Sequence, residues 1–281
     1  MQIGILGLGS IGMVHAKNLR AMGHDIYTHD IADPTSHGLE LMEDAEAIVI
    51  ATPSDQHTID MYCHFQSKHL FVEKPIGTSD QCAIDIKAML AVSKKVIMVA
   101  NNCRYHPVVK VVKERMHELG GPYHGAWFRL HQEKKDAKDP VILNWGAHEV
   151  DLALYLLSKN LSVMPGHSKV AHDHAEFIIR YGSGSLVHID LSYHGPSDRC
   201  FAIHGPDASI LGDLDNFTVH IFSRQGREII AVEGSHEQTY VDEMKEFIKR
   251  VESGGASTDG IGATGEDGLR CLKVLLEAQN A

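Results

Sequence analysis

Three groups of residues in this chain have the types and spacing to do chemistry. The first is Gly7-x-Gly9-x-x-Gly12, which follows the apolar run Ile3-Gly4-Ile5-Leu6 and precedes a helical pattern carrying Ile11, Val14 and Leu19. Glycines at this spacing allow a tight turn, let the backbone approach a pyrophosphate, and let the helix pack close on the strand. The phosphates would sit at the helix N-terminus, around Ser10 and Ile11, where free N–H groups and the dipole favour anions. Asp30 closes the next strand-like run, Asp25-Ile26-Tyr27-Thr28-His29-Asp30, where a dinucleotide fold keeps an acid for the ribose 2′-hydroxyl. A carboxylate there repels a 2′-phosphate, and Ile31 and Ala32 offer no cation to receive one, so NAD is expected over NADP.

The second group is Lys74 and the third surrounds His148. Lys74 stands at the carboxyl end of the strand Leu70-Phe71-Val72 and is followed by Pro75. A lysine held there can donate to a substrate oxygen, and a site near a nicotinamide would depress its pKa. His148 begins a helix in Asn144-Trp145-Gly146-Ala147-His148-Glu149-Val150-Asp151. Removing a hydride from a secondary alcohol leaves a hydroxyl proton, and histidine suits its transfer near neutral pH. Asn144, one helical turn earlier, is a candidate to orient His148 or bind a hydroxyl, with Trp145 beside it at the substrate. Arg104 is a candidate for an anionic or polyhydroxyl substrate. Each has a plainer reading: a solvated loop lysine, a capping or core histidine, an ion pair for Arg104, and a helix-face charge for Asp151.

The elements that must position these groups follow from hydrophobic patterning. The run 45–51 reads as a strand buried on both faces, as do 70–72 and 96–100. A helix is expected from about Gln56 to Ser67, and Thr78-Ser79-Asp80-Gln81 has capping-box form before a helix to about Ala91. Loops 52–57, 73–77 and 101–107 then leave the sheet at the same edge as the glycine loop. The connection between Asp30 and Ala45 is too short for a full helix and strand, so this half-fold is abbreviated. Beyond about 123, strand-like runs at 124–131, 175–181, 185–193, 199–204, 217–222 and 228–232 follow one another, interrupted by a helix at 147–157. Strands in succession suggest a largely antiparallel sheet. Helices at about 238–252 and 265–279 close the chain, with 254–265 as a loop. The expected fold is α/β: a shortened Rossmann dinucleotide-binding domain over 1–120, then an α+β domain with an open sheet over 121–281, its final helix a candidate to pack back on the first.

Composition bounds the alternatives. The chain has 281 residues, 43% hydrophobic and 22% charged, with formal net charge −11. That charge argues against nucleic acid as a partner. No apolar run is long enough to span a membrane, and the N-terminal apolar residues are used by the first strand, so the cytoplasm is the default. The five cysteines are scattered and form no C-x-x-C, and the twenty histidines show no metal-ligand spacing, so no dedicated metal site is expected.

Together these residues resemble the glucose–fructose oxidoreductase/inositol dehydrogenase (Gfo/Idh/MocA) family. The resemblance rests on Gly7-x-Gly9-x-x-Gly12, Ala51-Thr52-Pro53 with His57, Glu73-Lys74-Pro75, Arg104-x-x-Pro107 and Gly146-x-His148-x-x-Asp151. It implies an oxidoreductase acting on sugars, cyclitols or their derivatives, with Lys74 and His148 as catalytic pair and a cis Lys74–Pro75 peptide. It implies Thr52, Pro53, His57 and Glu73 lining the cofactor, and the open sheet of the second domain as interface of a homodimer or homotetramer. The chain departs from the family in carrying Asn144 where an aspartate is usual. Asparagine can bind a hydroxyl but cannot act as a base, which favours a second reading, a dinucleotide-binding regulator or scaffold without turnover, while Lys74 and His148 count against it; a third reading is a reductase of a C=N or C=C bond served by a different proton donor.

Overall fold

The apolar runs at 3–6, 47–50, 70–72 and 97–100 are almost wholly buried, and each forms a strand. In the computed structural model, which describes residues 1–33, 35–157, 161–181, 184–255 and 260–281, the chain divides into two compact units. One comprises Met1–Asn102 and Glu237–Leu272, the other Cys103–His236 and Lys273–Ala281. Residues 103–120, grouped with the first domain on sequence, cluster with the second unit, and 237–272 cluster with the first.

The first unit is built on β1 (Gln2–Leu6), β2 (Asp25–His29), β3 (Ala47–Ile50), β4 (His69–Glu73) and β5 (Ile97–Ala100), with α1 (Ser10–Ala21), α2 (His57–His64) and α3 (Asp80–Val92) between them. The five strands pair in parallel in the order β5-β4-β3-β1-β2. Their carboxyl ends therefore share one edge, and the order reverses direction at β1, the position where open α/β sheets bind ligands. Among the described residues between β2 and β3 there is a single 3-10 turn, Leu39–Met42, in place of a helix and strand. The strand Ala263–Thr264 adds antiparallel to β5; the loop expected over 254–265 thus contains sheet, and its positions 256–259 lie outside the described residues. Helix α3 starts one residue later than the capping box suggested. Ser79 is the cap and accepts from the Cys82 N–H at 3.2 Å, while the Gln81 side chain reaches forward to Asp85 at 2.9 Å.

The second unit contains α4 (Pro107–Arg115), β6 (Gly125–His131), α5 (Val141–Asn144), α6 (Gly146–Leu156), β7 (Leu161–Val170), β8 (His174–Tyr181), β9 (Ser185–Ser192), β10 (Asp198–His204), β11 (Ala208–Asp213), β12 (Thr218–Ser223) and β13 (Gly226–Ala231). Its sheet runs β13-β12-β11-β10-β6-β9-β8-β7. Every pair is antiparallel except β6–β9. The order is linear, so the sheet is open, as expected. Strand β6 alternates half-buried and buried residues, and Phe128, Phe177, Ile189 and Phe201 from four strands are fully buried. Helix α6 is buried all round except at His148 and Tyr155, the pattern of a core helix. Strands β7 and β11 have no counterpart in the sequence reading: Pro165 and Gly166 interrupt the first, and Gly212 the second, each weakening the period-two signal.

Candidate active site

The first unit holds a cleft of about 780 Å³ at the carboxyl edge of its sheet, lined among others by Gly7, Asp30, Thr52, Pro53, Gln56 and Asp60. Gly7 has φ +88°, and a Cβ on it would stand 2.6 Å from the Ala51 carbonyl carbon; both facts demand glycine. A Cβ on Gly12 would strike the Gly7 carbonyl, whereas one on Gly9 would meet nothing. Helix α1 begins at Ser10 with no side-chain cap and no acid in its first turn, so its first amides, those of Ser10, Ile11 and Gly12, carry the positive end of the helix dipole. Asp30 accepts the Leu8 N–H at 2.6 Å and the Ala32 N–H at 2.8 Å. These bonds, Leu8's above all, hold its carboxyl below the ordinary carboxylate range. Each oxygen keeps a second lone pair for a hydroxyl donor. The open ground over Gly9, the uncapped helix and the ionised acid fit a dinucleotide. Lys68 also lines the cleft, but its ammonium donates to the carbonyls of Glu43 and Ala45, the latter at 2.6 Å.

Thr52 donates to Asp60 at 2.6 Å. His57 and Glu73, expected along the cofactor, are both buried. His57 is buried, its Nδ1 2.8 Å from the Pro75 carbonyl and its Nε2 2.8 Å from the Thr52 carbonyl. It ties two of the edge loops together from behind. Glu73 is buried too: Oε1 meets His15 Nε2 at 2.7 Å, and Oε2 accepts the Lys74 N–H at 3.3 Å. The Lys74–Pro75 peptide is cis, and the Lys74 side chain is half-buried. Behind this loop lies Glu243, fully buried, with neither carboxyl oxygen hydrogen-bonded. Burial, and secondly the Glu73 charge, raise its pKa well above the ordinary value.

In the second unit, Asn144, Trp145 and His148 sit on the near-continuous turn from α5 into α6, and His148 is the half-buried member. Asn144 donates to the Tyr193 hydroxyl at 3.0 Å, which donates to the Asp139 carbonyl at 3.0 Å. Trp145 packs edge-on against the Tyr193 ring at 4.6 Å. Burial pushes the Tyr193 phenol up to about 12, so it remains a neutral donor. Arg104 is the residue expected at an anionic or polyhydroxyl substrate. It is 3% exposed, and its Nε and Nη2 grip Asp151 at 2.8 and 2.6 Å. The guanidinium also lies over the Tyr155 ring. This is a two-pronged buried ion pair fastening Arg104 to α6. His148 Nδ1 lies 3.3 Å from Cys103 Sγ. Arg199 Nη2 donates to that sulfur at 2.8 Å and to Glu149 Oε1 at 3.0 Å. Burial raises Cys103 to about 11 and Glu149 to about 7, with Arg199 pulling against both. Cys103, Glu149, Arg199, Tyr193, His15 and Glu243 carry no local signal in sequence. Arg199 and Tyr193 are brought to α6 by strand pairing across 50 residues or so, which spacing does not reveal.

Among the described residues, no group of three or more His, Cys, Asp or Glu is placed to hold a metal ion, and no helix is long and apolar enough to cross a membrane.

Residues 109–280 match the C-terminal alpha/beta domain of the Gfo/Idh/MocA oxidoreductase family. The match covers more than half of the chain, and the protein belongs to this family; it is an enzyme of the oxidoreductase class. It is 25% identical to a myo-inositol 2-dehydrogenase of Thermotoga maritima, over 97% of this chain and 93% of that protein. It is also 25% identical to a scyllo-inositol 2-dehydrogenase (NAD(+)) of Bacillus subtilis, over 89% and 86%. In fold it resembles a UDP-N-acetylglucosamine 3-dehydrogenase from Acidithiobacillus ferrooxidans, with TM-score 0.85, 19% identity, and coverage of 100% and 97%. A 3-ketoreductase from Actinomadura kijaniata, solved with TDP-benzene and NADP, has TM-score 0.81 at 17% identity, over 99% of this chain and 96% of that one.

Proposed function

We propose that this protein is an NAD-dependent dehydrogenase that exchanges a hydride with a hydroxyl-bearing or keto carbon of a cyclitol or sugar. The observation that carries the reading is the turn at Gly7, which lines the same cleft as the ionised Asp30 and leads, past open ground over Gly9, into the uncapped N-terminus of α1. Gly7, Gly9, Ser10, Ile11 and Gly12 would hold the pyrophosphate, and Asp30 the ribose hydroxyls. Its negative charge, maintained by the Leu8 amide, opposes a 2′-phosphate. Thr52 and Pro53 line the same cleft. The nicotinamide supplies the site for hydride exchange. Lys74 donates to the substrate oxygen, and Glu73, anchored on His15, fixes the loop that carries it. His148 exchanges the hydroxyl proton. The relatives named for myo- and scyllo-inositol support a cyclitol substrate; the sugar-nucleotide enzymes among the structural neighbours support a sugar nucleotide second.

Fluorescence titration with NADH and NADPH, followed by turnover assays with NAD and myo-inositol, scyllo-inositol or UDP-N-acetylglucosamine, tests the reading. Tighter NADH binding and turnover that Lys74→Ala abolishes without loss of NADH binding are expected. Preference for NADPH would refute the cofactor assignment. Asn144, whose amide is committed to Tyr193, favours one alternative, a dinucleotide-binding regulator, and tight NADH binding without turnover of any substrate would support it. The open sheet presents a concavity of about 480 Å³ lined by Trp127, Arg129, Leu186, His188, Asp190 and His204. We assign it to a second copy of the chain, and sedimentation of a monomer would refute that.

A further inference from the structure

The partner of His148 Nδ1 is a thiol, and that choice bears on which proton the ring can move. A neutral imidazole has one N–H and one acceptor nitrogen, and the neighbour of the first nitrogen decides the role of the second. A carboxylate or carbonyl beside Nδ1 would draw the hydrogen there and leave Nε2 as a base. Cys103 offers the opposite. Its sulfur accepts the Arg199 Nη2 hydrogen at 2.8 Å, and Nδ1 lies 3.3 Å from the same sulfur. Burial keeps Cys103 protonated, raising it to about 11, and a thiol has one hydrogen to give. Arg199 does not strip it, because the guanidinium is shared with Glu149 at 3.0 and 3.1 Å. Asp151 of α6 is paired with Arg104.

We infer that Cys103, oriented by Arg199, is a positioning residue that donates its S–H to His148 Nδ1 and so keeps the ring proton on Nε2, presenting the histidine to substrate as a proton donor. In a carbonyl reduction, the carbon receives hydride from the reduced nicotinamide and the oxygen takes the Nε2 proton. Nδ1 simultaneously takes the thiol hydrogen, so the ring stays neutral and a thiolate is left against the Arg199 guanidinium. Oxidation runs the same transfers backwards and starts from the thiolate, the scarcer form. The assignment of His148 to proton transfer rests on the proposed function; its tautomer does not.

The test is long-range proton–nitrogen NMR on the full chain labelled with 15N-histidine, with His148→Gln identifying the resonance. The wild type should show His148 protonated at Nε2. Cys103→Val removes the donor and should raise the Nδ1–H population about five- to tenfold, the worth of one hydrogen bond. Cys103→Ser, which can still donate, should restore the wild-type tautomer. A wild type protonated at Nδ1 overturns the inference, as does an unchanged tautomer in Cys103→Val. Because the measurement needs no turnover, an Nε2–H tautomer in a protein inert towards every substrate would sink the proposed function and leave this assignment standing. Where turnover is found, the oxidation rate of the wild type should climb with pH towards thiol ionisation, and Cys103→Val should flatten that climb.

Discussion

Glu243 should make the protein less stable as pH rises, and replacing it by glutamine should remove that dependence. The carboxyl is fully buried and neither oxygen is hydrogen-bonded. Burial and the Glu73 charge hold its folded-state pKa well above the ordinary 4.5. An acid that binds its proton more tightly in the folded state contributes fully below its unfolded pKa, and that contribution is lost as pH rises towards the folded value. Between pH 4.5, the unfolded value, and pH 7, at 1.36 kcal/mol per unit, the loss is at most about 3 kcal/mol. Glutamine has nearly the same shape and does not titrate. Its own buried amide adds a pH-independent penalty of about 1–3 kcal/mol, so the informative quantity is the slope rather than the sign at one pH. Urea denaturation followed by circular dichroism from pH 5 to pH 7 should show Glu243→Gln gaining on the wild type at each step. A constant difference between the two would refute the reasoning, since it would mean that Glu243 ionises in the folded protein as freely as in the unfolded chain.

Three further outcomes follow from the site. Asp30→Ala should weaken NADH binding by about tenfold or more, the loss of hydrogen bonds to a charged acceptor, and narrow the preference over NADPH; fluorescence titration measures both. Asp151→Ala strands the Arg104 guanidinium in a buried setting and should cost about 3–5 kcal/mol of stability, read by urea denaturation, whereas the double change Arg104→Met/Asp151→Leu should be milder. Gly12→Ala drives a methyl group into the Gly7 carbonyl and should abolish NADH binding in the same titration while circular dichroism stays near wild type.

The glycine turn and the strand ends and helix start that carry Asp30, Lys74 and His148 are legible because they are local. A turn with φ +88° at Gly7, a strand end or a helix start is written in a few adjacent residues. The same locality explains the misplacements. Thr78 and Ser79 are both competent caps, and only the helix's packing chose Ser79. Arg104 lay in a family motif beside the site and read as a substrate donor; its partner Asp151 is 47 residues away, beyond any spacing argument. Among the buried partners of His57 and Glu73, the Pro75 carbonyl and His15 lie too far along the chain for spacing to show.

The two sheet types and the glycine turn before α1 are written in the amino-acid order, since hydrophobic period and glycine spacing act over one or two turns of chain. Only the tertiary structure decided how those groups are held. Burial converts ordinary side chains into particular ones: it raises the pKa of the Cys103 thiol and of the Glu243 carboxyl and pairs Arg104 with Asp151. Desolvation is a property of everything packed around a group, and no stretch of sequence contains it.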